Sequence, residues 1–179
     1  HYVAGEFERW RVSRMPKLTS DEQTELLDCP GVLMRIAVVN ADGAPSVTPI
    51  WFLHQDNAIL FTPRLKSAWY RRIQADPRVA LCIDEDRLPY RKVLVEGVSE
   101  LVHPPGEDDQ WRAQYLAMAA KYVGDQGAAR YVENTINEPR ALLKVALAAA
   151  KVSSWRMPVE GEPAMGIWAN RYYQPETQF

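Results

Sequence analysis

Cysteine is almost missing from this chain: among 179 residues only Cys29 and Cys82 carry a thiol, and they form no CxxC pair. That excludes a disulfide scaffold, a thiolate zinc site and a dithiol redox motif, and leaves both thiols as small hydrophobes in packing. Histidine is as scarce. His1, His54 and His103 are dispersed and none has a second ligand at metal spacing, so no metal is expected. No apolar run approaches the roughly 18 residues of a membrane span; the longest candidate is the alanine-rich stretch Val145 to Ala150. A signal-peptide hydrophobic segment is missing from the N-terminal stretch, which sets the expectation of a cytoplasmic protein without a membrane partner. Charge of one sign is missing too. With 21 basic and 23 acidic residues, a net charge of -2 leaves no general field to recruit nucleic acid. Any phosphate must be gripped by a local site. Nor is there a nucleophile-elbow motif for a Ser-His-Asp hydrolase.

What is present fits one domain, since a chain of 20.4 kDa is long enough to bury one core and short for two. Residues 1–14 read unlike the rest, and Met15 opens MPKLTSDEQTELL, so 1–14 are expected to be a leader, 15–156 the domain, and 157–179 an aromatic tail packed on it. Thr19 and Glu22 make a capping box, which predicts a helix from about Ser20 to Leu27. GVLMRIAVV, SVTPIWFLH and AILFT read as three strands joined by turns at Asp42-Gly43 and Gln55-Asp56-Asn57. Ser67 can cap a helix in which Trp69 and Ile73 share a face, ended by Asp76-Pro77. RVALCID and RKVLVEGVSELV are two further strands. Helices are expected near 109–122 and 128–134, broken at Gly124 and Gly127, and a last strand between Pro139 and Trp155, where Leu143, Val145 and Leu147 alternate with Lys144 and Ala146. Six strands joined largely by hairpins predict a mainly β, α+β fold: a six-stranded antiparallel split barrel with peripheral helices, closed so that few edges stay open.

The chemistry concentrates in FTPRLKSAWYRR, from Phe61 to Arg72. Here a strand ends in a hydroxyl residue and a basic loop runs into a helix. Thr62, Arg64, Lys66, Ser67 and the first helix amides offer a phosphate monoester both fixed donors and positive charge. Arg35, inside an apolar strand, is read as a charge that needs a partner, by preference an interface salt bridge.

The order SVTPIWFLHQDNAILFTP, KSAWYRRIQADPRVALCID and RKVLVEGVSEL resembles the pyridoxamine 5'-phosphate oxidase-like flavin-binding split barrels, including their deazaflavin-using relatives, over roughly Thr19 to Trp155. The resemblance implies a homodimer with its cofactor between subunits, FMN or the 8-hydroxy-5-deazaflavin coenzyme. Thr62, Arg64, Lys66, Ser67 and Ala68 would surround the phosphate, and Thr48, Pro49, Ile50 and Trp51 would lie along the ring. Tyr90, Arg91 and Lys92, with Trp155 and Arg156, would come from the partner subunit. One departure stands out: Trp69 occupies a position where many members carry lysine, which leaves Arg64 and Lys66 to do its work. The arginines with which a true pyridoxamine phosphate oxidase holds its substrate are not found. The implied activity is hydride transfer between the flavin and a small organic substrate, with no catalytic side chain assignable. A non-catalytic flavin carrier is the alternative, and a haem-binding barrel, with His54 as the weak candidate ligand, a lesser one.

Overall fold

The computed structural model describes residues 15–162, so the expected leader and most of the aromatic tail, with Trp168, Tyr172 and Tyr173, lie outside the described residues. The chain opens with helix α1 (Ser20–Asp28), whose N-terminus is held by the expected capping box: Thr19 Oγ1 accepts from the Glu22 amide and Glu22 accepts from the Thr19 amide. Strands β1 (Met34–Val39) and β2 (Pro45–Ile50) form a hairpin through Gly43, which takes a positive φ of 86°. β3 (Leu53–Gln55) and β4 (Ala58–Phe61) form a second, with Asp56 and Asn57 both left-handed at the turn. After α2 (Ala68–Ala75) come β5 (Arg78–Asp84), β6 (Lys92–Val98) and β7 (Glu100–His103), then the long α3 (Arg112–Asn134), β8 (Leu142–Ala146) and β9 (Lys151–Trp155).

Every strand pairing is antiparallel, and the strands form two sheets, β2-β1-β5-β6-β9 and β3-β4-β8-β7. The difference between six expected strands and the nine described ones has a simple origin. Three of the six runs bend partway and pass from one sheet to the other: β2 into β3 at Trp51 and Phe52, β6 into β7 at Ser99, and β8 into β9 through a 3-10 turn at Leu147–Ala149. The fold is therefore the α+β antiparallel type expected, but its two sheets do not close into one wall. Edge strand β2 carries Pro45 and Pro49, which remove donors from an edge that could otherwise pair.

Between the sheets lie Met34, Ile36, Ile59, Leu81, Ile83, Val93 and Val95, each at most 1% exposed. Period-two alternation puts them there, because β1, β5 and β6 each bury every second residue. β4 instead is buried at every position, since α3 and the 3-10 turn before it (Asp108–Trp111) cover its other side with Trp111, Tyr115, Met118 and Val132 against Leu60 and Leu142. The two helices expected around 109–134 are both present as the halves of α3: they meet at Gly124, where a φ of 70° and a ψ of 169° are non-helical, and Gly127 lies within the second half instead of breaking it.

Candidate functional site

Phe61 ends β4 inside the core, so the next residues emerge at the sheet's rim as a loop leading to α2. That loop is laced to the segment preceding β8. The amide of Leu65 donates to the Pro139 carbonyl at 2.9 Å, that of Ala141 donates to the Pro63 carbonyl at 3.1 Å, and Arg64 forms an isolated antiparallel bridge with Arg140. The lacing brings Arg64 and Lys66 together on one carboxylate. Lys66 Nζ donates to Glu138 Oε1 at 2.9 Å, while Arg64 Nε lies 2.8 Å from Oε2 without hydrogen-bond alignment. Beside them is a cavity of about 260 Å³ lined by Arg64, Leu65, Lys66, Asn137, Glu138 and Pro139. The hydrogen bond from Lys66, with the charges of Arg64, Lys66 and Arg140, holds the Glu138 carboxyl below its usual range.

Sequence reasoning missed the deeper half of this cluster. Arg140 is 6% exposed, with its guanidinium 4.8 Å from the Tyr115 ring centroid. Its Nη1 donates to the Thr62 carbonyl at 3.5 Å and its Nη2 to the Tyr131 hydroxyl at 3.4 Å. Burial pushes the Tyr131 hydroxyl up, but the cations Arg140 and Arg64 outweigh it and hold the group below its ordinary value. The one signal in the sequence was an arginine directly before an apolar strand, in NEPRALL, and nothing local tied it to Arg64 across 76 positions (140 − 64).

The remaining expected residues divide by position. Ser67 stands at the N-cap of α2, but its side chain makes no capping bond; Ala68 is exposed at the first turn. Trp69 packs against Phe61, ring centroids 6.2 Å apart, on the core side. Thr48 and Ile50 lie half-buried on β2 with Pro49 exposed between them. Trp51 stacks on Tyr122 at 4.9 Å, nearly parallel, and packs against Tyr131 at 4.8 Å, so α3 engages its ring.

Arg91 and Arg156 are committed within the chain. Arg91 makes a two-pronged pair with buried Glu85, Nε and Nη2 each at 3.0 Å, and also meets Glu25. Arg156 grips Glu22 at 2.8 Å and Glu162 through two bonds of 2.7 Å, tying α1 to the start of the tail. Both were expected to reach a cofactor from the partner subunit; in the single chain, nearby carboxylates partner each largely buried guanidinium. Tyr90, left-handed at φ 55°, is exposed, and Lys92 Nζ lies 3.8 Å from the Trp155 ring centroid. Both Lys92 and Trp155 stand on the outward face of the five-stranded sheet. Arg35 stands there too, half-exposed and paired with Asp84 of its own chain, so it is no buried charge.

A family model described as pyridoxamine 5'-phosphate oxidase matches residues 20–154. No curated protein matches the chain significantly. Among solved structures, an F420 reductase is 28% identical, covering 71% of this chain and 94% of its own, with a TM-score of 0.53. A conserved hypothetical protein from Mycobacterium tuberculosis is 23% identical over 84% of this chain and 92% of its own, TM-score 0.66. An FAD and heme binding protein from Mycobacterium smegmatis, 20% identical over 87% and 78%, TM-score 0.61, shares the fold. With the family model spanning most of its length and the two-sheet architecture in common, the chain belongs to the pyridoxamine 5'-phosphate oxidase-like family of split-barrel proteins.

Proposed function

We propose that the chain binds a phosphorylated flavin, FMN or the 8-hydroxy-5-deazaflavin coenzyme, as a homodimer and serves as an oxidoreductase acting on a small organic substrate. The observation that carries this is the convergence of Arg64 and Lys66 on one carboxylate at the end of β4. Cations that hold a carboxylate at hydrogen-bonding distance suit a phosphate, which offers the same oxygen geometry and more charge. The donor set fits the cofactor's phosphate end: Thr62, Arg64, Lys66, Ser67 and Ala68 would hold it, and the backbone of Thr48, Pro49, Ile50 and Trp51 would approach the ring. When bound, the flavin supplies the hydride chemistry; the protein binds, orients and keeps water out. Tyr90, Lys92 and Trp155, exposed or half-exposed on their own chain, are available to a second copy, whereas Arg91 and Arg156 are held by carboxylates of their own chain and would act chiefly as supports. The F420 reductase likeness favours catalysis over carriage.

The dimer reading draws on the outward face of the five-stranded sheet. Alternate residues there stay exposed or half-exposed among the described residues, with Val47 at 63% and Val98 at 54%. Titration of FMN tests the site. Arg64→Ala should weaken binding roughly 5- to 30-fold, a charge-assisted contact discounted for partial exposure. Lys66→Ala should cost less, because its side chain is 72% exposed. Unchanged affinity in both variants would remove the phosphate from this loop.

A further inference from the structure

Three arginines among the described residues are largely buried, and two of them have carboxylates to match: Arg91 has Glu85 and Glu25, and Arg156 has Glu22 and Glu162. Arg140 does not. Among the described residues no carboxylate lies within ion-pair distance of its guanidinium, its Nε has no hydrogen-bond partner, its two hydrogen bonds are long, 3.5 Å to a carbonyl and 3.4 Å to a phenol, and its other neighbour is the Tyr115 ring face. A buried guanidinium with five donors and no counter-charge is costly unless an anion completes it. Asp108 is the acid nearest in the hydrogen-bond pattern, and its carboxylate is taken by the backbone amides of Arg140 and Gly106.

The neighbouring carboxylate is itself poorly placed. Glu138 stands two residues before Arg140, bonded well to Lys66 and misaligned on Arg64. Its single charge is shared between two cations at the rim, and the third, deeper one feels it only from beyond ion-pair distance. A free tetrahedral dianion could serve all three.

We propose that Arg140 and Tyr131 are binding residues for the ligand's phosphate, and that Glu138 is a tethered competitor which that phosphate displaces from Arg64 and Lys66. The identity of the ligand rests on the phosphorylated-cofactor reading above; the anion site itself does not. The Tyr131 hydroxyl, facing Arg140 and Arg64, would donate to the phosphate, and Arg140 would supply the forked contact that lysine cannot.

Calorimetric titration of the full chain with inorganic phosphate, FMN and riboflavin tests this. Glu138→Gln should tighten both phosphate and FMN roughly three- to tenfold, the scale of releasing two partly exposed ion pairs, and leave riboflavin unmoved. Asp125→Asn, which removes an equal charge from the exposed kink of α3, should change none of the three. Arg140→Lys in the Glu138→Gln background should reverse the gain. Should that variant fail to fold, Tyr131→Phe, which deletes one oxygen atom, should weaken phosphate about threefold or more. Phosphate affinity that is unchanged or weaker in Glu138→Gln overturns the proposal. If phosphate follows the expected pattern while FMN binds no better than riboflavin, the anion site stands and the cofactor reading fails. If FMN binds far better than riboflavin but none of these variants moves it, the reverse holds.

Discussion

Glu85 has a side chain only 4% exposed and owes its ionised form to Arg91. Burial pushes its carboxyl up, and two side-chain bonds and one backbone bond from Arg91 more than reverse that, so the group sits below its ordinary value. Arg91→Met should therefore cost roughly 2–4 kcal/mol, the penalty of leaving a buried carboxylate without its cation, read as a lower urea midpoint. FMN affinity per folded molecule should hardly change if Arg91 is a support. Lys121 gives a pH signature. Burial against Phe52, with Nζ 3.4 Å from the ring centroid, lowers its amine to about 8 from 10.5. Between those values the unfolded chain binds the extra proton, so this group's contribution to stability rises with pH. Burial raises Tyr115 to about 12 and Tyr122 further, and both would turn the trend downward above about 10, where the unfolded chain loses protons first. The melting temperature of the wild type relative to Lys121→Met should accordingly grow from pH 7.5 to pH 9.5; a flat or falling difference would mean the amine is not strained by burial.

Gly97 lies in β6 just before the run turns from the five-stranded sheet into β7. A Cβ there would meet Val145 Cγ1 at 3.0 Å and Ala150 Cβ at 3.1 Å. Gly97→Ala should cost roughly 1–3 kcal/mol by overpacking the corner, measured as a drop in melting temperature. An unchanged melting temperature would mean the corner can relax. Such corners explain what the sequence could and could not disclose. The hydrophobic runs, the capping box at Thr19 and the turns at Gly43 and Asp56-Asn57 are local signals, and each element they imply is present. The bends at Phe52, Ser99 and Leu147 break no hydrophobic run, because both sheets want the same residues inside, so six runs hid nine strands. The final strand was legible in the alternation of Leu143 and Val145 despite its alanines; the break between two helices at Gly124 was legible, whereas Gly127, with no special backbone demand, sits inside the second. In the site, Arg64 and Lys66 stood out because they sit together after a strand. Arg140 and Glu138 did not, since only the pairing of β4 with β8 brings them there.

As a whole the molecule carries the Arg64–Lys66–Glu138 cluster, the proposed phosphate site, at the rim of one sheet and an outward face, with Lys92 against Trp155, on the other. The proposed dimer would bring such a face from a second copy to that rim. Leu94, half-buried at the middle of that face, makes the test: Leu94→Arg should shift a dimer toward monomer in light scattering and weaken FMN binding with it. A variant that stays dimeric with full affinity would put the interface elsewhere. The central claim is that a phosphate anchors the ligand, and its most direct test is the affinity of the unmodified chain for FMN against riboflavin, which differ by the phosphate alone. The account predicts that FMN binds roughly 100-fold tighter or better, the yield of two or more charge-assisted contacts; equal affinities for the two would contradict it.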